Sequence, residues 1–311
     1  MEEAQYNGCV STYLGASTGT FTFDNQECVP VLDQDGNYGS SLFSLNKDEV
    51  LVSGTFATDA YRQVGGIRSH KYTAVKDTLY GTNHHSWLGH SIVKLDESGQ
   101  TLAFSAHGTG EVKIVDSHSY EQVKLIANPD GNPDQFGYSI IVSNLTINQV
   151  IKPCLIIGAP VSTYGIHTNG GAIFIFDATT YELLAKLHSD KALGRFGRSF
   201  GQTETRLLIG APRYHEKANA LQEEGAVFVL SKSTSLPLGD VTEICQDGQK
   251  APCLENWIES TLVPPMGEKR SHFGHKIQPV FRGPNEFISV SAPKSSRFAQ
   301  QGGIVYIYKS I

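Results

Sequence analysis

The sequence predicts an all-β protein, a β-propeller of four-stranded antiparallel blades, and three observations carry that prediction. A Phe-Gly pair, an apolar run closing on Gly-Ala-Pro and a glycine-led third strand recur in the same order five times, with variations. The spacing between repeats is about that of a propeller blade. No segment sustains a helical period; the apolar runs are short and separated by Gly, Pro, Asn and Asp, as strands and turns require.

The elements follow in chain order. The repeats open at Gly39, Gly89, Gly137, Gly197 and Gly274, separated by 50, 48, 60 and 77 positions, so that blades begin near 38, 88, 136, 196 and 273. The first two copies are degenerate: YGSSL with VLVSGTF, and LGHSI with LAFSAHG. The third and fourth are FGYSI with LIIGAP and GGAIFIF, and FGRSF with LLIGAP and EGAVFVL; the fifth has FGHKI, then Ser291-Ala292-Pro293, then GGIVYIY. Fourth strands are expected in YEQVKLIA and YELLAKLH. The aromatic fills space between blades, and the Gly-Ala-Pro glycine suits a bulge or a close backbone approach. Proline ends strand pairing.

The 311 residues are expected to form a single propeller domain, 1–311. The last repeat supplies three strands, so Cys28 to Leu32, within the segment 1–33, is expected to add a fourth and close the ring. Gly19 to Asp24 resembles a surplus third strand; if it does not pack outside the ring, the chain is part of a longer propeller.

At these residues the chain resembles the FG-GAP repeat family, as in integrin α-subunit propellers and the C-terminal propeller of glycosylphosphatidylinositol-specific phospholipase D. The resemblance runs from about Tyr38 to Tyr308 and is nearer in style to the phospholipase. The loops LDESGQTL, SNLTINQV and GQTETRL lack the clustered oxygen ligands of the integrin calcium loops, and Asp96 with Glu97 reads as a solvated turn. The phospholipase's catalysis belongs to a separate N-terminal zinc domain that this sequence does not contain. The resemblance implies a secreted or extracellular protein, although Met1-Glu2-Glu3 is acidic and followed by no apolar leader core.

A net charge of -6 argues against nucleic acid as a partner, and no apolar run is long enough for a transmembrane helix. No cofactor, metal site or catalytic residue is assigned. His84-His85 precede Trp87 in a polar loop, where neighbouring side chains are expected to point apart; His90 and His275 occupy the same repeat position. Among five cysteines, Cys154 reads as a small buried hydrophobe, and Cys245 and Cys253 flank a polar loop that a disulfide would close. Asn144-Leu145-Thr146 is a glycosylation sequon, expected on an exposed turn. In a propeller the strand-two to strand-three loops and the blade crossings share one face. There Tyr164, His167, Tyr214, His215, Arg297 and Phe298 are the candidate residues for a protein or glycan partner. Three functions follow: a noncatalytic interaction module, the propeller portion of a phospholipase D acting on GPI anchors without its catalytic domain, or structural support within a longer chain.

Overall fold

The computed structural model describes residues 6–15, 21–30, 36–46, 49–56, 58–59, 62–71, 74–163, 168–189, 192–215, 223–236, 238–241, 257–264, 269–282, 285–296 and 302–309. They are strands and turns throughout, and five of the sheets are propeller blades. The chain divides into two compact units, 1–133 and 134–311.

In the first unit, β1 (Tyr6–Gly15) and β2 (Phe21–Pro30) form an antiparallel hairpin. The first blade has β3 (Gly36–Ser44) and β4 (Glu49–Phe56), then, after the short hairpin β5 (Thr58–Asp59) and β6 (Arg62–Gln63), β7 (Gly66–Lys71) and β8 (Ala74–Tyr80). The second has β9 (Leu88–Lys94), β10 (Thr101–Ala106), β11 (Glu111–Asp116) and β12 (Gln122–Ala127). Leu51 and Ile67 of one blade meet Leu88, Leu102, Phe104 and Val115 of the next in a shared core. Phe21 to Asp24, within the segment that reads as a surplus strand, opens β2, and Cys28 pairs with Cys9 in this hairpin. Leu32, the end of the expected ring-closing strand, lies outside the described residues. A partner a few residues away satisfies one edge of β2 with a short loop closure.

In the second unit, β13 (Ser139–Ile147), β14 (Val150–Ala159), β15 (Ala172–Asp177) and β16 (Leu183–His188) form the third blade. The fourth begins with β17 (Ser199–Gln202), β18 (Arg206–Ala211) and β19 (Ala226–Ser231). The chain then crosses back: Leu236 bridges Ile147, and β20 (Gly239–Val241) adds in parallel to the outer edge of β16. Only afterwards does β21 (Ile258–Leu262) complete the fourth blade. This excursion is the extra length in the 77-residue repeat. It is pinned by Lys232 O, which accepts from the backbone N–H and hydroxyl of Thr146, and by Trp257 Nε1, which donates to Ser235 O at 3.1 Å. The fifth blade is β22 (Ile277–Arg282), β23 (Asn285–Ala292) and β24 (Ile304–Lys309), three strands among the described residues.

The three Pro-ended runs stop where expected, at Ala159, Ala211 and Ala292. Strand β15 is buried at every position, and Ile173 and Ile175 share a core with Phe196 and Ile209 of the fourth blade. By contrast β24 alternates, with Val305 and Ile307 exposed.

In the second unit the repeated motifs form the seams between blades: Phe196 shares a core with Ile173 and Ile175 of the third blade, and Phe273 with Val227 of the fourth. Phe136, Phe196 and Phe273 are fully buried and meet Phe174, Phe228 and Tyr306 of their own blades edge-on, with centroids 5.1, 5.4 and 5.5 Å apart. Gly158 of the third blade lies against Gly197 O of the fourth, leaving no room for a Cβ, and Gly210 repeats this against Gly274 O. Ser139 Oγ and Ser199 Oγ donate to those same carbonyls, each at 2.7 Å. The aromatic, the two glycines and the serine thus build one joint, written twice in the second unit.

Candidate functional site

Each blade crossing delivers a side chain on either side of the motif pair. The residue before the aromatic has a positive φ in four repeats: Trp87 at 53°, Gln135 at 55°, Arg195 at 57° and His272 at 56°. A left-handed backbone costs a non-glycine residue roughly 1–2 kcal/mol. The seam imposes it: the motif residues Leu88, Phe196 and Phe273 bridge in parallel to Gly65, Gly171 and Gly225 of the preceding blades, and the chain must kink to enter that bridge. After the glycine come His90, Tyr138, Arg198 and His275.

In the second unit these flanking residues meet the strand-two to strand-three loops. The Arg198 guanidinium lies 3.8 Å from the centroid of the Tyr138 ring, a stacked cation–π contact. Arg213 Nη2 is 2.5 Å from Glu223 Oε1, and Glu223 Oε2 is 3.3 Å from His272 Nε2. Burial by itself raises the Glu223 carboxyl, but Arg213 and His272 together hold it below the usual carboxylate range. Burial lowers Arg195, and the nearby Arg213 lowers it further. Arg198 is lowered by burial and by Arg195. His272 is pushed down by burial and then by Lys294, and His275 by burial and then by Arg198. An acidic chain thus gathers a local excess of positive charge on one loop face.

The sequence-predicted partner residues divide on placement. Tyr214 and His215 lie on this face beside Arg213, both half-buried. The Tyr214 ring stands perpendicular to Phe228 at 5.2 Å and packs against the blade core, so it supports the loop from below. Tyr164, His167, Arg297 and Phe298 lie outside the described residues, as do Cys245 and Cys253. Asn144 is exposed but sits inside β13, opposite Pro153, rather than on a turn; the turn is at Asn148 and Gln149. Cys154 is fully buried with a free thiol, which burial pushes up to about 11.

The histidines of the first unit also depart from expectation. His84 and His85 do not point apart: their rings meet edge-on at 3.8 Å, because the segment is a turn with His85 at a φ of 59° rather than an extended strand. His90 and His107 are 4.5 Å apart by centroid, beside Trp87. Among the described residues, no three His, Cys, Asp or Glu side chains converge in a metal-binding group. The Asp96 carboxylate accepts from Ser98 Oγ and from the amides of Gln100 and Thr101, the bonding of a solvated turn.

Arg195, Arg198 and His272 were not among the sequence-predicted site residues. Their signal is positional, since each touches a Phe-Gly pair and not one repeats in identity between blades.

No family model matches the chain. Over 229 residues it is 23% identical to a UPF0173 metal-dependent hydrolase of Geobacillus thermodenitrificans, an alignment covering 70% of this chain and 96% of the relative. The described residues do not supply the grouped ligands that a metal centre of that kind needs.

Proposed function

We propose that this protein is a noncatalytic interaction module that takes a protein or glycan partner on the loop face of its blades. The observation that carries this reading is the gathering of Arg195, Arg198, Arg213, His272 and His275 on the face where strand-two to strand-three loops meet blade crossings. Propeller blades are rigid, and loops on a rigid scaffold are where binding residues concentrate. The site's polar groups are cations and imidazoles rather than an activated nucleophile, and Cys154 of the same unit is buried and protonated at neutral pH.

The repeats are of FG-GAP type in this proposal, because aromatic, glycine and Gly-Ala-Pro each have a role in the same seam. The accompanying proposal is a secreted parent, in which exposed Asn144 carries a glycan; a mass loss on glycosidase treatment of natively sourced protein is the expected result. Membership in a GPI-hydrolysing phospholipase would add a catalytic domain to the propeller without changing the role of this face.

The test is binding to protein and glycan arrays by the full chain and two variants. His215→Ala alters the loop face, and Glu204→Ala alters an exposed turn at the opposite end of the fourth blade. The expected result is a set of array signals lost in His215→Ala and kept in Glu204→Ala, with both melting curves unchanged. Signals that survive His215→Ala, or vanish only in Glu204→Ala, overturn the choice of face.

A further inference from the structure

We infer that the loop face of the second unit holds a binding site for a single carboxylate, supplied by an acidic side chain of a peptide segment and seated by Arg195 and Arg198. The inference rests on the proposed binding role of this face and names the chemistry that fills it.

The first argument is unbalanced charge. Among the described residues Arg195 and Arg198 have no ion pair, although both are partly withdrawn from water and near each other. Arg195 also faces Arg213, and Arg198 faces His275. Among the described residues the carboxylate in contact here is Glu223, which also faces Arg195 but whose two oxygens are already taken by Arg213 and His272. Half-buried like charges oppose folding unless something of opposite sign joins them. In addition, Arg213 Nε is buried with no hydrogen-bond partner.

The second argument is the orientation of the donors. The Arg198 guanidinium carbon lies over the Tyr138 ring at 3.8 Å from its centroid, too close for the fork to stand edge-on, so a flat face of the guanidinium rests on the ring. Its N–H groups lie in the plane of the fork, so stacking fixes their direction without using them. No described residue accepts a hydrogen bond from them. A fork so fixed matches the two oxygens of a carboxylate, which it binds through parallel N–H···O bonds. Arg195 is the strained residue before Phe196, its backbone held by the bridge between Phe196 and Gly171. The two arginines flank one Phe-Gly pair, so a rigid seam sets their positions.

The third argument concerns the size of the anion. The chain as a whole carries a net charge of -6, so the long-range field does not favour an extended polyanion such as a sulfated glycan. A local cluster on an acidic protein suits one isolated negative group in an otherwise uncharged ligand. That is what a lone Glu or Asp in a peptide offers.

The experiment titrates the full chain, by NMR at low salt and constant ionic strength, with a blocked Gly-Glu-Gly tripeptide, its Gly-Gln-Gly counterpart and a heparin-derived tetrasaccharide. The Glu peptide is expected to bind saturably and the Gln peptide at least about tenfold more weakly, the loss expected for one charge-assisted bidentate pair. Arg195→Gln and Arg198→Gln should each remove the preference for Glu over Gln. Arg198→Lys, which keeps charge but not the fork, should weaken it, and Arg206→Gln, at a surface pair with Glu259, should leave it intact. Melting curves establish that each variant is folded, and Arg198→Lys carries the test if a glutamine variant is not. Equal binding of the two peptides, or a preference unchanged in Arg198→Gln and Arg198→Lys, overturns the inference. Tighter, arginine-dependent binding of the tetrasaccharide transfers the site to glycans and overturns the peptide assignment. If the carboxylate preference is absent while His215→Ala still abolishes array binding, the inference alone falls; if array binding is also indifferent to His215→Ala, the binding face falls with it.

Discussion

Gly158 and Gly210 show how much of this chain is decided by single atoms. Each sits where the carbonyl of the next repeat's motif glycine passes, and that carbonyl also accepts a serine hydroxyl at 2.7 Å. A methyl group at Gly210 meets Ser199 Oγ and also the backbone carbonyl of Gly274; the hydroxyl can rotate away but the carbonyl cannot, so relief requires the blades to separate. Gly210→Ala is therefore expected to destabilise the second unit by about 2–4 kcal/mol, measured as a lowered urea midpoint. Ser199→Ala leaves the same carbonyl without its hydroxyl donor and should cost about 1 kcal/mol. An alanine at Gly210 that left the midpoint unmoved would show that the seam is looser than the backbone contacts imply. Gly158 and Gly210 were legible in the sequence because their job is the same in both copies, whereas the serines that join them were not. The site residues were not, because Gln135, Arg195 and His272 share a position and a backbone strain but no chemistry.

At the scale of elements, strand identity was legible and strand partnership was not. The runs ending in Gly-Ala-Pro, the glycine-led third strands and the YELLAKLH fourth strand all form where their residues predict. The N-terminal segment also forms a strand but pairs with its own neighbour, a choice that alternation and β-propensity do not encode. The 77-residue repeat announced an insertion without its destination. In the structure, residues 232–236 and 238–241 leave the fourth blade and bind the third: Leu236 bridges Ile147, the Gln149 amide donates to Ser235 Oγ at 2.8 Å, and β20 extends the sheet of β16. Replacing residues 233–241 by a Gly/Ser linker of equal length is expected to expose Ile147 and the edge of β16. Hydrogen exchange would report this as lost protection in β16 and at Ile147 to Gln149, with β18 and β19 unchanged. Uniform loss across both blades would mean that the excursion holds the whole unit rather than one edge.

For the whole molecule, the acidic average conceals a basic site whose imidazoles tie stability to pH. His272 and His275 are depressed below the ordinary histidine value of 6.5, first by burial and then by Lys294 and Arg198 respectively. The unfolded chain therefore binds more protons than the folded one between the depressed values and 6.5. Their contribution is fully present above 6.5 and is lost as pH falls through that window. Glu223, also depressed, adds a loss of the same sign below the ordinary carboxylate value of 4.5. The second unit should thus unfold at lower urea at pH about 5.5 than at about 7.5, and the double variant His272→Gln with His275→Gln should flatten that difference. An equal pH slope in the double variant would place the sensitivity elsewhere. The excursion of residues 232–241 has a further consequence, for how such a chain changes by duplication. A repeat that keeps its strands to itself can be copied, lost or reordered as a block. Once the fourth repeat lends β20 to the third, neither can be excised without leaving an orphan strand or a bare edge, and the interchangeable block in this part of the gene is the pair.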